Sequence, residues 1–263
     1  MTPVVTVENL TARYGDHIVF EGVSFNVFAG EIFAIVGGNG CGKTTIFKCM
    51  TGLLPPSSGR ILVKGIDPST DDEEQINTLR KETGVLFQSG ALFGSMTLHD
   101  NMAVVLKEHT SLPPPVIDMI IKAKLGMVKL AGCENLLPSE LSGGMKKRAG
   151  IARAMVMDPG VLFLDEPSAG LDPVTSGDFD TLVKNINTGM GTTIIIITHQ
   201  MESIFNIAHN VIMLDKDAKG IIAEGNPHEL RKHSTDHRVM AFFGGVTPEH
   251  RTDPEQSEAN EEV

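Results

Sequence analysis

Gly37-Gly38-Asn39-Gly40-Cys41-Gly42-Lys43-Thr44 lies between the apolar run EIFAIV (31–36) and the segment TTIFKCM (44–50). The pattern is GxxxxGK[ST], and a strand before it with a helix after it is the setting in which such a loop cradles phosphate. Glycines let successive backbone N–H groups converge on phosphate oxygens, and the helix start adds the positive end of its dipole. Lys43 is placed to reach the terminal phosphates, and the Thr44 hydroxyl to ligate magnesium. Residues Gly37 to Thr45 together make the expected ATP-binding set, with a strand-loop-helix unit at the centre of the fold.

Outward from this unit, short apolar runs recur between polar helical stretches: VVTVENL (4–10), TGVLFQ (83–88), VLFLDEP (161–167), TTIIIITH (192–199) and HNVIMLD (209–215). Continuous rather than alternating apolar runs are how strands covered on both faces read, so the expected class is α/β with a mostly parallel sheet. The first strands differ. Tyr14-Gly15-Asp16 separates two segments by too few residues for a crossover helix, which predicts an antiparallel flap. Between Met96 and Met157 strand signals vanish and apolar residues fall at helical spacing, with Pro113, Pro114 and Pro115 breaking one helix from the next. This predicts an inserted helical lobe over about 90–157 within a domain spanning 1–225. A short helical segment is expected at His228 to Lys232 and a mixed one at Asp236 to Gly244, within a carboxyl-terminal segment 226–247. The last stretch, 248–263, ends in TDPEQSEANEEV and is too polar to bury apolar surface, which predicts a disordered acidic tail.

Composition limits the partners. With 22 basic against 33 acidic residues the formal charge is -11, opposite to that of a phosphate-backbone binder, so nucleic acid is not expected. MTPVVTVENL has neither a basic n-region nor an apolar h-region, and no apolar run approaches the ~18 residues of a membrane span. Any membrane contact is expected to be peripheral. Cys41, Cys49 and Cys133 have neither metal-ligand nor disulfide spacing and read as reduced thiols of a cytosolic protein. Cys41, within the phosphate loop at a helix start, is expected to have a depressed thiol pKa and to be alkylated in competition with ATP.

Asp165 and Glu166 close the buried run VLFLD, where phosphoryl transfer needs one acidic group to hold magnesium and another to orient the nucleophile. Asp165 suits the metal and Glu166 the water. Leu141-Ser142-Gly143-Gly144-Met145, ahead of the segment KKRAGIARAMVMDP (146–159), resembles the LSGGQ signature of the ABC (ATP-binding cassette) ATPases. The resemblance runs in family order from about Val4 to Gly225. It implies the ABC ATPase fold, with a RecA-like, mostly parallel sheet core, an antiparallel β flap and the helical lobe. It also implies ATP hydrolysis with Mg2+ and a homodimer in which Ser142, Gly143 and Gly144 of one subunit contact the ATP of the other. Tyr14 resembles the aromatic that stacks on adenine. Gln88 resembles the Q-loop glutamine that senses magnesium and the membrane partner. Ser168-Ala169-Gly170-Leu171-Asp172 resembles the D-loop at the dimer interface, with Asp172 its acidic residue, and His199 the switch histidine at the γ-phosphate. The metal set is then Thr44, Gln88 and Asp165, and the catalytic set Glu166, His199 and Gln88.

Departures from the general family narrow the resemblance. Met145 stands where most members carry Gln, Gly38 occupies a variable loop position, and the Q-loop reads LFQSGALF (86–93). Together with Lys146-Lys147-Arg148 these strings resemble the ATPases of MCE-type (Mla-type) lipid transporters, and Asp236 to Gly244 is similar to a region of subunit contact near the carboxyl end of that group. The resemblance implies a peripheral location on the cytoplasmic face of the inner membrane. Implied partners are membrane permease subunits and a periplasmic MCE-domain lipid-binding protein, with phospholipid as cargo. Gly90 to Phe93 and Thr97 to Val105 would line the groove for a permease helix, the alternative being that Leu92, Phe93 and Leu98 pack the core of the lobe. Two readings share the nucleotide motifs: a soluble ABC ATPase of iron–sulfur cluster assembly, and the ATPase of a different ABC transporter. A chromosome-organising ATPase would need a coiled-coil insertion before the signature, which this sequence lacks.

Overall fold

The computed structural model describes residues 2–244. Its centre is a six-stranded sheet in the order β5-β6-β7-β3-β8-β9, formed by β3 (Ile32–Gly37), β5 (Thr83–Leu86), β6 (Val161–Asp165), β7 (Thr193–Ile197), β8 (Asn210–Asp215) and β9 (Gly220–Gly225). Pairings are parallel except β8 with β9. A second, antiparallel sheet, β2-β1-β4, joins β1 (Pro3–Tyr14), β2 (His17–Phe28) and β4 (Ser58–Val63). The turn between β1 and β2 is Gly15-Asp16, as the two-residue spacing requires, and Gly15 takes φ +57, a conformation cheap for glycine.

Every residue of β3, β6 and β7 is buried. The alternation hidden by their uniform apolarity emerges in which core each residue joins. Ile32, Ala34, Val36, Leu162, Leu164, Ile194 and Ile196 face a core shared with the helical lobe and the late helices. Phe33, Ile35, Phe163, Ile195 and Ile197 face the flap and the helix after the phosphate loop. Each such side chain contributes about 2 kcal/mol by leaving water, so the sheet is held from both sides.

The helical stretch resolves into α3 (Leu98–His109), α4 (Pro114–Met127), a 3-10 turn (Pro138–Glu140) and α5 (Gly143–Ala154). Thr97 caps α3, its hydroxyl accepting from Asp100 N. Pro114 and Pro115 start α4 rather than merely interrupting a helix, since a first-turn proline loses no intrahelical bond. Buried Leu98, Met102, Leu106, Ile121 and Leu125 join the same core as the sheet. The phosphate-loop helix is α1 (Lys43–Met50); α2 (Glu73–Glu82) precedes β5, and α6 (Pro173–Met190) and α7 (Met201–Ile207) flank β7. The late helices are α8 (Pro227–His233), where a helical segment is expected, and α9 (His237–Phe242), inside the segment expected to be mixed; α9 is anchored by buried Val239 and followed by buried Phe243. Arg238 braces this end through Asp236 and Asp215, both at hydrogen-bond distance. The expected acidic tail and residues 245–247 lie outside the described residues. No helix among the described residues is long and apolar enough to cross a membrane.

Candidate functional site

Parallel strands deliver their carboxyl ends to one edge of the sheet, and there the loops after β3, β5, β6 and β7 meet. They line, with the flap, a cavity of about 490 Å³ containing Tyr14, His17, Val19, Asn39, Gly40, Gly42, Lys43, Thr44, Thr45, Gln88, Asp165, Glu166, Ile197 and His199. Residues separated by up to 185 positions in sequence, 199 − 14, thus come to one pocket of the size small-molecule sites have.

The phosphate loop is shaped by close approach. Gly37 takes φ +141, and a Cβ there would stand 2.2 Å from Leu214 O and 2.8 Å from Cys41 Sγ, so only glycine fits. Gly42 (φ +103) precedes α1 and would likewise drive a Cβ to 2.8 Å from the Phe20 ring. Because Gly42 brings no side-chain cap, the first-turn amides of α1 have none, which is the arrangement an anion at a helix start uses. Lys43 Nζ donates to Gly37 O and Gly38 O, both at 2.8 Å, and thereby lies across the mouth of the loop.

Gly37, Gly38 and Cys41 do not line the cavity. For Cys41 the expected reactivity is corrected. Its side chain is 1% exposed, and burial pushes the thiol pKa up, outweighing the lowering effect of Lys43, whose Nζ lies 3.9 Å from the sulfur. A helix start lowers a thiol pKa only where the thiolate stays solvated or paired, and here the sulfur points into the core.

Opposite the loop, Asp165 ends β6 in register with Ile197 of β7. Burial and the neighbouring Glu166 carboxylate raise its pKa, with Lys147, Lys48 and Lys43 opposing. Glu166 has φ +45, unusual for a non-glycine residue. Its N–H donates to Ile197 O at 2.8 Å, one carboxylate oxygen meets His199 Nδ1 at 2.8 Å, and Oε2 is buried with no protein partner. A buried acceptor without a partner is costly and marks a place for a water or substrate proton. Two adjacent carboxylates, a hydroxyl and an amide lining the same pocket are the hard oxygen donors a magnesium–phosphate unit takes, so Thr44, Gln88 and Asp165 fit Mg2+.

Ser142, Gly143, Gly144 and Asp172 are not brought to this cavity. Ser142 caps α5, accepting from Met145 N at 3.3 Å, while Asp172 caps α6, accepting from Val174 N and Thr175 N at 3.1 and 3.0 Å. The two helix starts abut: a Cβ on Gly144 would lie 2.9 Å from Thr175 Cγ2. Ser142 and Gly143 are exposed. Met145, in the place of the usual Gln, packs its side chain against the lobe core, so an apolar contact fills that position.

The sequence reading passes over His17 and Val19, which reach the cavity because β2 returns antiparallel beside Tyr14. It also passes over Gln200, whose amide donates to Ser168 O at 3.1 Å and accepts from Ser176 Oγ at 2.9 Å, tying the histidine loop to the segment 168–172. Adjacency to His199 is the only signal for it.

Comparison with known proteins agrees with this geometry. The "ABC transporter" family model matches residues 20–169. The intermembrane phospholipid transport system ATP-binding protein MlaF of Haemophilus influenzae is 40% identical over 242 residues, covering 92% of this chain and 90% of that protein. A probable ribonucleotide transport ATP-binding protein, mkl, of Mycobacterium leprae is 39% identical over 245 residues, covering 93% of this chain and 70% of its own length. Among solved structures, a dimeric ATP-binding cassette in a post-hydrolysis state, bound to ADP and Pi, superposes with a TM-score of 0.76 at 27% identity, covering 84% of this chain and 98% of that one.

Proposed function

This chain belongs to the ABC transporter ATP-binding family and is an ATPase subunit, and from that premise we propose that it powers phospholipid trafficking across the cell envelope as a homodimer beneath a membrane permease. The observation that carries the homodimer is a half-built site. One cavity gathers Tyr14, the phosphate loop, Gln88, Asp165, Glu166 and His199, while Ser142 and Gly143 stand exposed elsewhere at the start of α5. A second copy offering that helix start to the cavity would close it over one ATP, and the symmetric pair would hold two.

Within each half-site the roles follow from chemistry. Tyr14, half exposed at the flap turn, stacks on the adenine; Lys43 and the amides of Gly40 to Thr45 take the phosphates. Thr44, Gln88 and Asp165 would hold magnesium, which when bound would supply positive charge against that developing on the phosphate. Glu166 orients the attacking water through its partnerless Oε2, and His199, bonded to the other oxygen, fixes the carboxylate and reaches the γ-phosphate.

Support for a membrane partner comes from the opposite side of the Q-loop. A trough of about 220 Å³ is lined by Phe87, Gly90, Ala91, Val105, Gly150 and Arg153 among others, and it shares Arg80, Thr83 and Val85 with a larger one of about 500 Å³ beside α1 and α2. Phe93, 47% exposed under the Arg153 guanidinium, and Leu53, 58% exposed, offer apolar surface to a permease helix. Leu98, expected in this groove, is 1% exposed and belongs to the lobe core instead. The relatives named for phospholipid transport, with the LFQSGALF and LSGGM strings, favour lipid cargo and an MCE-domain partner over cluster assembly.

Gentle affinity purification of the tagged chain from native membranes, with proteins and lipids identified by mass spectrometry, tests this reading. A permease, an MCE-domain protein and bound phospholipid are expected. Recovery of soluble cluster-assembly proteins without a permease would overturn the transport reading and leave the ATPase untouched.

A further inference from the structure

Lys147 is a buried ammonium that the nucleotide cavity does not include. It lies on α5, five residues after Ser142, and is 8% exposed. Ile151, one helical turn further on, is fully buried, so helical spacing turns Lys147 inward. There its Nζ donates to the main-chain oxygen of Gln88, and to that of Glu166 at 3.3 Å. The same ammonium feels the charges of Asp165 and Glu166. Burying an ammonium is expensive unless it is bonded and paired, and here every named contact leads to the hydrolytic edge of the sheet.

The backbone of Glu166 gives this contact a purpose. Its φ of +45 is a conformation that a non-glycine residue keeps only where its surroundings over-determine it. Three bonds do so: its N–H donates to Ile197 O at 2.8 Å, and its carbonyl accepts from Ala169 N–H at 3.2 Å and from the Lys147 ammonium at 3.3 Å. Without the Lys147 bond the Glu166 carbonyl keeps only the turn bond from Ala169, and the backbone that carries the carboxylate is held less tightly. Gln88, held through its own carbonyl by the same ammonium, would lose its tether as well.

We propose that Lys147 is a positioning residue for ATP hydrolysis, fixing the backbones of Gln88 and Glu166 from the helix that begins at the signature segment. The carboxylate that orients water and the Q-loop are thereby held in register with the element that addresses the partner's ATP. The inference rests on the assignment of Glu166 made above.

The test uses the full chain in its assembled complex, with Lys147→Met, Lys147→Arg and Glu166→Gln compared. In Lys147→Met, kcat falls by about 10- to 100-fold while KM for ATP stays within about twofold, because the contact acts on the chemical step rather than on nucleotide binding. Lys147→Arg, which keeps charge and donors, recovers kcat to within about threefold of the original. Should Lys147→Met fail to fold by circular dichroism, Lys147→Leu, which likewise removes the donor, carries the same expectation. Unchanged kcat in the folded variant, or a loss confined to KM, overturns the proposal. Normal turnover in Glu166→Gln removes its foundation; a stalled Glu166→Gln beside a fully active Lys147→Met removes the role of Lys147 alone.

Discussion

Replacing Glu166 with Gln lowers ATP hydrolysis by about 100-fold or more while ATP binding stays within about twofold. The substitution is nearly isosteric, so the left-handed backbone, its bond to Ile197 and the contact from Lys147 persist. What changes is the side-chain atom at Oε2, buried and without a protein partner. A carboxylate there accepts from water with both its charge and its lone pairs, whereas an amide nitrogen presents hydrogens to the same water and turns it away. The contact from His199 Nδ1 to the other oxygen survives, so the loss belongs to the hydrolytic step. Single-turnover hydrolysis and equilibrium ATP binding, measured on the same preparation, read the two quantities apart. A variant that turns over at the original rate would refute the role of Glu166.

Lys43→Ala acts earlier, weakening ATP binding and turnover together by about 10- to 100-fold, the range of one or two charge-assisted hydrogen bonds lost. The ammonium bonds to Gly37 O and Gly38 O, so a contact to phosphate exchanges neutral acceptors for charged ones. The measured effect is that difference rather than the full strength of a phosphate contact. Removing Lys43 also frees the loop carbonyls that it spans, which slackens a turn shaped by glycines at 37 and 42. ATP titration by calorimetry, with kcat/KM from phosphate release, checks both expectations; affinity within twofold of the original would contradict the assignment.

The elements read easily from the sequence were those whose apolar content is complete. β3, β6 and β7 are buried throughout and announce themselves as uninterrupted runs, and the loop between β3 and α1 carries its own glycine pattern. Edge elements were not legible. β4 begins with three exposed residues, β9 has none fully buried, and α2 buries only Leu79, so none carries a strong periodic signal. Tyr14, Gln88, Asp165, Glu166 and His199, which the fold brings to one cavity, stand out in the sequence because each sits next to a strand end or a recognisable string. Lys147 was quoted only as part of a basic run. Its inward direction depends on the packing of α5 against the Q-loop, which a one-dimensional pattern does not contain. Cys41 shows the opposite failure: a helix start suggested a reactive thiol, and the side chain's turn into the core beneath Gly37 reversed the sign of its pKa shift.

Solution mass decides the central claim, that each cavity is half of a site completed by a second copy. Light scattering on the full-length Glu166→Gln chain, with and without ATP and Mg2+, compares the assembly state directly. The account predicts that ATP drives the chain into a dimer holding two nucleotides, and that Ser142→Arg, placed at the exposed helix start, abolishes this dimer while leaving ATP bound to the single chain. ATP bound at full occupancy with the mass remaining that of one chain would contradict it.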